Sequence, residues 1–161
     1  MRNVFLAAAL VSLFAAFVVQ RRAPATSSIL ASTTLTPGAL NPDVTQTTIG
    51  ATICVHGWTR TVRPPVAYTN ALKVKQMRAY SESGDLSDYQ EDHLISLELG
   101  GAPTDPRNLW PEPYPRASAV DEIENELNAK VCSGELSLAE AQKVLVEEEE
   151  GSKLRPAALH R

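Results

Sequence analysis

The distribution of apolar residues along the chain predicts a mixed α+β protein built from short elements. In Thr45–His56, closely spaced Thr, Ile and Val residues predict one or two short strands. In Tyr68–Tyr80 the apolar residues have helical spacing and the basic residues occupy another face. Pro64 and Pro65 break regular structure between these two segments.

A second pair of strands is predicted around a polar loop at 102–107. Upstream of this loop, Ile95, Leu97 and Leu99 alternate with polar residues, which predicts a half-buried strand that ends at Gly100-Gly101. Downstream, Leu109-Trp110 is a second short apolar piece. The residues that follow argue against helix there, since three of them are prolines: Pro111, Pro113 and Pro115.

Two helices with clear end signals are predicted in the C-terminal third. Ser118–Asp121 and Ser137–Glu140 both have the form of a capping box, and Gly134 and Gly151 supply the stops. On the first helix, several polar side chains fall within an arc of about 100° beside the apolar stripe. They are Asp121, Glu124, Asn125 and Asn128.

The N-terminal residues 1–25 have the layout of a secretory signal peptide. Arg2 precedes the uncharged, mostly apolar run Val4–Val19, and Ala23-Pro24-Ala25 offers small residues for cleavage. The alternative is a retained membrane anchor, although the run is shorter than the roughly 20 residues that span a bilayer. Both alternatives place the rest of the chain outside the cytoplasm, secreted or periplasmic in the first case and membrane-attached in the second.

The remaining chain divides by composition into a linker, one domain and a tail. Residues 26–38 are rich in Ser, Thr and Ala and predict a linker, and 39–146 predict the folded domain. Residues 147–161 predict a disordered tail, which begins with the four adjacent acids Glu147–Glu150. Cys54 and Cys132 either pair in an oxidising compartment or remain two buried thiols, and two cysteines alone do not complete a closed zinc site.

Charge alone does not decide whether the partner is a nucleic acid. The formal net charge is −4, which argues mildly against such a partner. However, residues 56–80 hold five cations and no acid, Arg60 and Arg63 among them, while 121–150 are strongly acidic. A basic face beside an acidic one suits an enzyme that tracks phosphates, and a mixed solvated surface is the simpler explanation.

Asp92 and His93 are the residues that combine acid–base and metal-binding chemistry. A neutral imidazole takes a proton from water near neutral pH, and a neighbouring carboxylate holds a hard cation through oxygen. Phosphodiester hydrolysis needs a base for the water and a cation for the charge on the phosphate. An Asp-His pair by itself is weak evidence, because structural histidines are common.

The surrounding residues resemble the motif of HNH endonucleases. Asp92-His93-Leu94-Ile95 is followed by Gly100-Gly101 and by Asn108-Leu109, 15 residues after the histidine. The family often has Pro where Ser96 stands, a position without a chemical role. The segment 91–113 also resembles a group of small exported bacterial proteins related to these nucleases. This likeness extends over roughly residues 36–145.

The resemblance implies a ββα-metal core in which His93 is the general base and Asp92 binds the metal. Asn108 would fix the loop between the strands and orient the base. The last His of the HNH motif is missing, and Asn125 is the first choice for the second ligand, ahead of Asp121, Glu124 and Asn128. Such an oxygen-only ligand set favours Mg²⁺, or Mn²⁺, over Zn²⁺.

The sequence therefore predicts an exported HNH-type endonuclease, with a β-containing N-terminal extension before the core and two helices after it. Arg107, Arg60 and Arg63 are the candidates for contacts with the substrate phosphates. Two alternatives remain, and the first is a degenerate scaffold that binds nucleic acid or the cell envelope without cleavage. The second is a metal-dependent hydrolase of another envelope polymer. No protein partner is implied.

Overall fold

This computed structural model describes residues 29–151 of the chain. They contain four α-helices and two strands, joined by loops and short 3₁₀-helices. The helices are α1 (Thr59–Val62), α2 (Val66–Ala79), α3 (Tyr114–Ser133) and α4 (Leu138–Glu149), and the strands are β1 (Tyr89–His93) and β2 (Leu109–Pro113). The predicted α+β class is confirmed. The predicted signal peptide or anchor lies outside the described residues, and within 29–151 no helix is long and apolar enough to cross a membrane.

The two strands form an antiparallel hairpin in which His93 pairs with Leu109 and Tyr89 with Pro113. Prolines are tolerated in β2 because each strand of a two-stranded sheet has a free edge. The first strand was predicted too late in the chain, because Leu97–Leu99 is a 3₁₀-helix rather than strand. That segment leaves the sheet since the Asn108 amide, not a neighbouring strand, pairs with the backbone of Ile95.

The prediction of strands in Thr45–His56 is wrong. This segment consists of turns and the short 3₁₀-helix Ile49–Ala51. Threonine hydroxyls bond to nearby backbone carbonyls instead, Thr48 to Asp43 at 2.8 Å and Thr52 to Thr48 at 2.8 Å. Within 29–88 the β-type pairing is a single bridge from Leu40 to Gly101, so the predicted β-containing extension is not found there.

The predicted helices are confirmed where the sequence signal lies within the helix itself or within one turn of its end. Helix α2 lies where it was predicted, and the Ser137–Glu140 capping box at the start of α4 is formed in both directions. Gly134 ends α3 with φ +81°. However, α3 begins at Tyr114 instead of Ser118, because a proline is well accommodated in the first turn of a helix, where Pro115 lies.

The core lies between α3, α4 and the 97–99 turn. Its central side chains, all below 2% exposed, include Leu99, Leu127, Val131 and Leu145. A second, smaller cluster joins Ala31 to Leu94 and Trp110. Residues 29–38, predicted as linker, thus contribute packed side chains, and the Thr36 hydroxyl lies 2.7 Å from that of Tyr80.

The C-terminal acids are not all solvated, contrary to expectation. Helix α4 continues three residues beyond the predicted boundary at 146, and Glu149 is fully buried. The Ala31 amide donates to the Glu149 carbonyl at 3.1 Å. The end of α4 is therefore part of the packed domain.

Cys54 and Cys132 form a disulfide, which confirms the first of the two alternatives for these cysteines. Their Cα atoms are 5.6 Å apart, within the usual range for such a bond. The bond connects the irregular 45–58 segment to the C-terminal end of α3. A structural disulfide is compatible with a location outside the cytoplasm.

Candidate active site

His93 ends β1 with its imidazole almost completely buried, at 4% exposure. Its Nε2 lies 3.0 Å from the Pro103 carbonyl oxygen. Because a carbonyl oxygen only accepts hydrogen bonds, Nε2 must carry the hydrogen. In the neutral ring Nδ1 is then the acceptor, and it has no hydrogen-bond partner among residues 29–151. This nitrogen is free to take a proton.

Burial lowers the pKa of His93 to about 4, since the charged ring loses its hydration. The bond to the Pro103 carbonyl raises this pKa, and the nearby positive charge of Arg63 lowers it further. At neutral pH the imidazole is therefore uncharged. This is the form that a general base requires.

Asp92, the residue before His93 in β1, has a carboxylate held in a fixed orientation by two hydrogen bonds. One carboxylate oxygen accepts from the His93 backbone amide at 2.8 Å, and the other from the Gln90 side-chain amide at 2.6 Å. Burial raises the pKa of Asp92 to about 6, while the His93 amide bond lowers it. Repulsion from Asp121 also raises this pKa, and Arg63 lowers it. A half-buried carboxylate in this setting gains stability from any nearby cation.

Asn108 is fully buried and fixes the loop between the strands, as the sequence predicted. Its Oδ1 accepts from the Ile95 amide at 3.0 Å, while its Nδ2 donates to the Ile95 carbonyl at 3.0 Å and the Ala102 carbonyl at 3.2 Å. Ala102 directly precedes Pro103, the residue that holds the His93 ring. Asn108 is therefore connected to the His93 ring through residues 102 and 103 of the loop.

The Gly100-Gly101 pair is required by two different features of this loop. Gly100 has φ +79°, in the left-handed region that favours glycine. At Gly101, an added Cβ would lie 1.7 Å from the Ile95 carbonyl oxygen and 2.6 Å from the Asn108 Nδ2. The close approach of the Ile95 backbone, and then of the Asn108 side chain, thus excludes any side chain at position 101.

Helix α3 brings Glu124 into the electrostatic environment of Asp92. The Glu124 carboxylate accepts from the Ser96 hydroxyl at 2.9 Å. Burial raises the pKa of Glu124 to about 9, and repulsion from Asp92 is the next cause. Ser96 was expected to have no role beyond replacing a proline, but it holds this carboxyl group and caps the 97–99 turn.

The structure does not bring Asn125 together with Asp92. Its side chain is exposed, its Nδ2 donates to the Asp121 carbonyl at 2.6 Å, and it lines a groove next to the disulfide. Residues 124 and 125 are about 100° apart around the helix. Glu124 therefore replaces Asn125 as the candidate for the second metal ligand.

The three predicted phosphate-binding arginines occupy different places. Arg63, at the C-terminal end of α1, is exposed and interacts electrostatically with both Asp92 and His93. Arg60 packs against Gly57, where an added Cβ would lie 2.5 Å from its guanidinium. Arg107 is paired with Asp105 at 2.6 Å. Arg63 is thus the arginine that the structure places at the Asp92–His93 pair.

A buried acidic pair next to this region was missed from the sequence. Glu112 and Glu149 are both fully buried and are joined by Arg116, at 3.1 Å and 3.2 Å. The angle of the contact to Glu112 does not meet hydrogen-bond geometry, so this contact is an ion pair only. The spacing of Glu112 and Arg116 was a visible signal, whereas nothing in the sequence pointed to Glu149.

The donor set around Asp92 suits a hard cation. Among residues 29–151 no group of three or more His, Cys, Asp or Glu side chains is arranged to hold a metal ion. Mg²⁺, however, commonly binds through one or two carboxylates and keeps several water molecules. The oxygens of Asp92 and Glu124, which repel each other, fit such a site and favour Mg²⁺ or Mn²⁺ over Zn²⁺.

Comparison with known proteins gives no support from relatives. No protein-family model matches the chain, and no curated protein or solved structure matches it.

Proposed function

We propose that this chain is an exported, metal-dependent endonuclease of the HNH type that hydrolyses phosphodiester bonds of DNA, with RNA as a second substrate to be tested. The observation that carries the proposal is the state of His93. A neutral ring has one nitrogen bound to the Pro103 carbonyl and the other without a partner, and the preceding residue, Asp92, has a carboxylate held by two hydrogen bonds.

In this proposal each residue has one task at the scissile phosphate. His93 Nδ1 removes a proton from the attacking water. Asn108 keeps the ring in position through the 94–103 loop, and Arg63 binds a phosphate oxygen, since a guanidinium forms two parallel bonds to phosphate. Hydrolysis adds water across the P–O bond, so the proton held by His93 is available to the departing 3′ oxygen or to solvent.

Asp92 and Glu124 would hold the divalent cation, for which Mg²⁺ is the first choice. When bound, such an ion stabilises negative charge on the phosphate and on the departing oxygen. Burial of Glu124, and then repulsion from Asp92, raises the pKa of Glu124 to about 9. A cation between them would relieve this repulsion.

Export is the second part of the proposal. The disulfide is compatible with an oxidising compartment, and the signal-like segment at 1–25 supports the same location. A secreted or periplasmic protein follows if this segment is cleaved, and a membrane-anchored one if it is retained.

A plasmid-cleavage assay tests the activity. Purified protein with Mg²⁺ or Mn²⁺ should nick or linearise supercoiled DNA, and EDTA should stop the reaction. His93→Ala should reduce the rate by about 10²–10⁴-fold, the usual contribution of a general base, and Asp92→Ala should abolish metal-dependent cleavage. Glu122→Ala is the control, because Glu122 is exposed and has no part in the proposed site. Intact plasmid under both metals, or equal cleavage by His93→Ala, would overturn the proposal.

One observation favours a second candidate, a scaffold that binds nucleic acid without cleaving it. Helix α3 carries carboxylates and amides, and no histidine, where the HNH motif has its last histidine. In that case DNA would be shifted in a gel in a salt-dependent manner, and the plasmid would stay intact.

A further inference from the structure

A groove of about 280 Å³ lies beside the candidate active site, between the irregular Ile53–Thr59 segment and α3. It is smaller than most pockets for drug-sized ligands. Its walls carry an aromatic ring, an imidazole, a carboxylate and two amides. These belong to Trp58, His56, Glu98, Asn125 and Asn128.

The groove and the Asp92–His93 pair share three supporting elements. Helix α1 carries Thr59 in the groove and ends one turn later at Arg63. Helix α3 places Asn125 in the groove one turn after Asp121, a spacing of about 5–6 Å between Cβ atoms. The third element is the 96–99 turn, in which Ser96 binds Glu124 and Glu98 lines the groove. The two sites are therefore immediate neighbours.

Two of the side chains on the α3 side of the groove offer free hydrogen-bond acceptors. Among residues 29–151 no hydrogen bond or ion pair reaches the Glu98 carboxyl group, and the Asn125 Oδ1 is also without a partner. The Asn128 Nδ2 is already used, since it donates to the carbonyls of Glu98 and Ile53 at 2.8 and 3.3 Å. A ligand that fits must offer donors to this wall.

A cation and an aromatic ring complete the groove. The Arg60 guanidinium packs against Gly57, which has φ +79° and lines the groove. Arg60 lies in α1, and Arg63 directly follows this helix. The two arginines therefore place positive charge both at the rim of the groove and near Asp92 and His93. Trp58 is partly buried against the core, which holds its ring in one place.

We propose that this groove binds the base of the nucleotide next to the scissile phosphate, and that it prefers bases with an exocyclic amino group. The inference rests on the proposed function, because the Asp92–His93 pair defines the scissile position. A base stacks on Trp58 as bases do on the aromatic residues of single-strand binding proteins. Its amino group donates to Glu98 and Asn125, as cytosine N4 does to acidic side chains.

This arrangement distinguishes between bases. Cytosine and adenine present an amino group to Glu98, whereas thymine has no amino group, and the carbonyl oxygens on either side of its N3–H repel a carboxylate. Arg60 binds the phosphate of the same nucleotide, which offsets the negative charge of Glu98. The strand thus enters with its phosphates along the arginines and one base turned into the groove.

Tryptophan fluorescence in the His93→Ala protein tests the inference without any cleavage. Trp110 is fully buried, so a change on adding single-stranded oligonucleotides reports on Trp58. Oligo-dC and oligo-dA should quench the signal by stacking and, because of the contacts of their amino groups, bind about tenfold or more tightly than oligo-dT. Trp58→Phe should remove the signal. Since Trp58 also packs on the core, Glu98→Gln provides a second variant, which should bring dC and dT close to equal affinity.

The outcomes separate this inference from the proposed function. If the wild type cleaves plasmid but no oligonucleotide changes the Trp58 signal, the groove assignment is overturned and the nuclease stands. If the plasmid stays intact but dC quenches Trp58 in preference to dT, the groove stands and the catalytic proposal fails. Equal affinity for dC and dT in the protein with Glu98 intact refutes the base preference. Quenching by a lysine-rich peptide alone would identify a different occupant.

Discussion

Asn108 and His93 are both buried, but burial has a different consequence for each. Asn108 uses its oxygen and its nitrogen in hydrogen bonds to Ile95 and Ala102, so it acts as a piece of structure. His93 uses one nitrogen and leaves the other without a partner. Of the two side chains, His93 is therefore the one that has an acceptor available for a substrate or a water molecule.

Asn108→Ala should destabilise the domain by about 2–4 kcal/mol. The substitution leaves the amide and carbonyl of Ile95 without partners in a buried place, and each such group costs about 1–3 kcal/mol. Urea unfolding followed by circular dichroism measures the loss. Asn125→Ala is the matched control and should stay within about 0.5 kcal/mol of wild type, because Asn125 is exposed. A loss below 1 kcal/mol at Asn108 would contradict its structural role.

The residues of the site could be predicted from the sequence only where they lie close together in it. Asp92, His93 and Asn108 belong to one hairpin and follow a recognisable spacing. Glu124 and Asn125 are adjacent on α3, and both lie on its polar face. Which of the two faces Asp92 depends on how α3 packs against the hairpin, so the choice could not be made from the sequence.

At the level of elements, β2, α3 and α4 meet at a buried cluster of charge. Glu112 of β2 and Glu149 of α4 are both fully buried, and Arg116 of α3 lies between them. Burial, and then mutual repulsion, raises the pKa of Glu112 well above its ordinary value, and burial likewise raises that of Glu149. One arginine does not neutralise two carboxylates, so the pair retains a proton at neutral pH.

Unfolding free energy should therefore fall as the pH rises above about 5. The folded pair keeps a proton that the unfolded carboxyls, with an ordinary pKa near 4.5, release. The contribution of this bound proton to the unfolding free energy is complete below the ordinary pKa of the unfolded carboxyls. It is lost as the pH rises through the raised pKa values of the folded pair. Each such group contributes a slope of at most about 1.4 kcal/mol per pH unit.

Glu149→Gln tests this at the same junction. The amide imitates the protonated acid, so the variant should lose less stability than wild type between pH 5 and pH 9 in urea unfolding series. Glu122→Gln, on the exposed side of α3, makes the same chemical change and should keep the wild-type profile. Parallel profiles for Glu149→Gln and wild type would show that the pair is ionised in the fold.

The elements themselves were predictable where their signals are local. The Ser137–Glu140 capping box and Gly134 act within one turn, and the structure has both. Strand propensity in Thr45–His56 was misleading because the same threonine hydroxyls bind local carbonyls. The first strand was misplaced because Asn108, 13 residues away, captures the backbone of Ile95.

Across the whole molecule, the position of the 45–63 segment depends on a few distant connections. Helix α1 has only four residues, too few to be stable without tertiary contacts. Ile53 packs into the core, and the Gln46 side chain accepts from the Leu138 amide at 2.7 Å. The disulfide adds a covalent connection to α3. Arg63 and the wall of the groove are both carried by this segment.

Replacing both cysteines, Cys54→Ser with Cys132→Ser, should lower the unfolding free energy by about 3–5 kcal/mol. The bond spans 78 residues, and closing a loop of that length removes about 4.5 kcal/mol of chain entropy from the unfolded state. Thermal unfolding should shift down by roughly 10–20 °C. A reducing agent should lower the wild-type transition in the same way and leave that of the variant unchanged.

Hydrogen exchange then decides whether the loss is shared by the domain or begins in one segment. The hairpin and α4 keep their contacts when the bond is absent, but residues 45–63 lose their covalent connection to α3. Amides of that segment should exchange first in the double variant, while those of β1 and β2 remain protected until global unfolding. Uniform exchange across 29–151 would contradict this order. Early exchange in 45–63 would show that the disulfide holds the segment that carries Arg63 against α3, so the proposed activity should depend on an oxidising compartment.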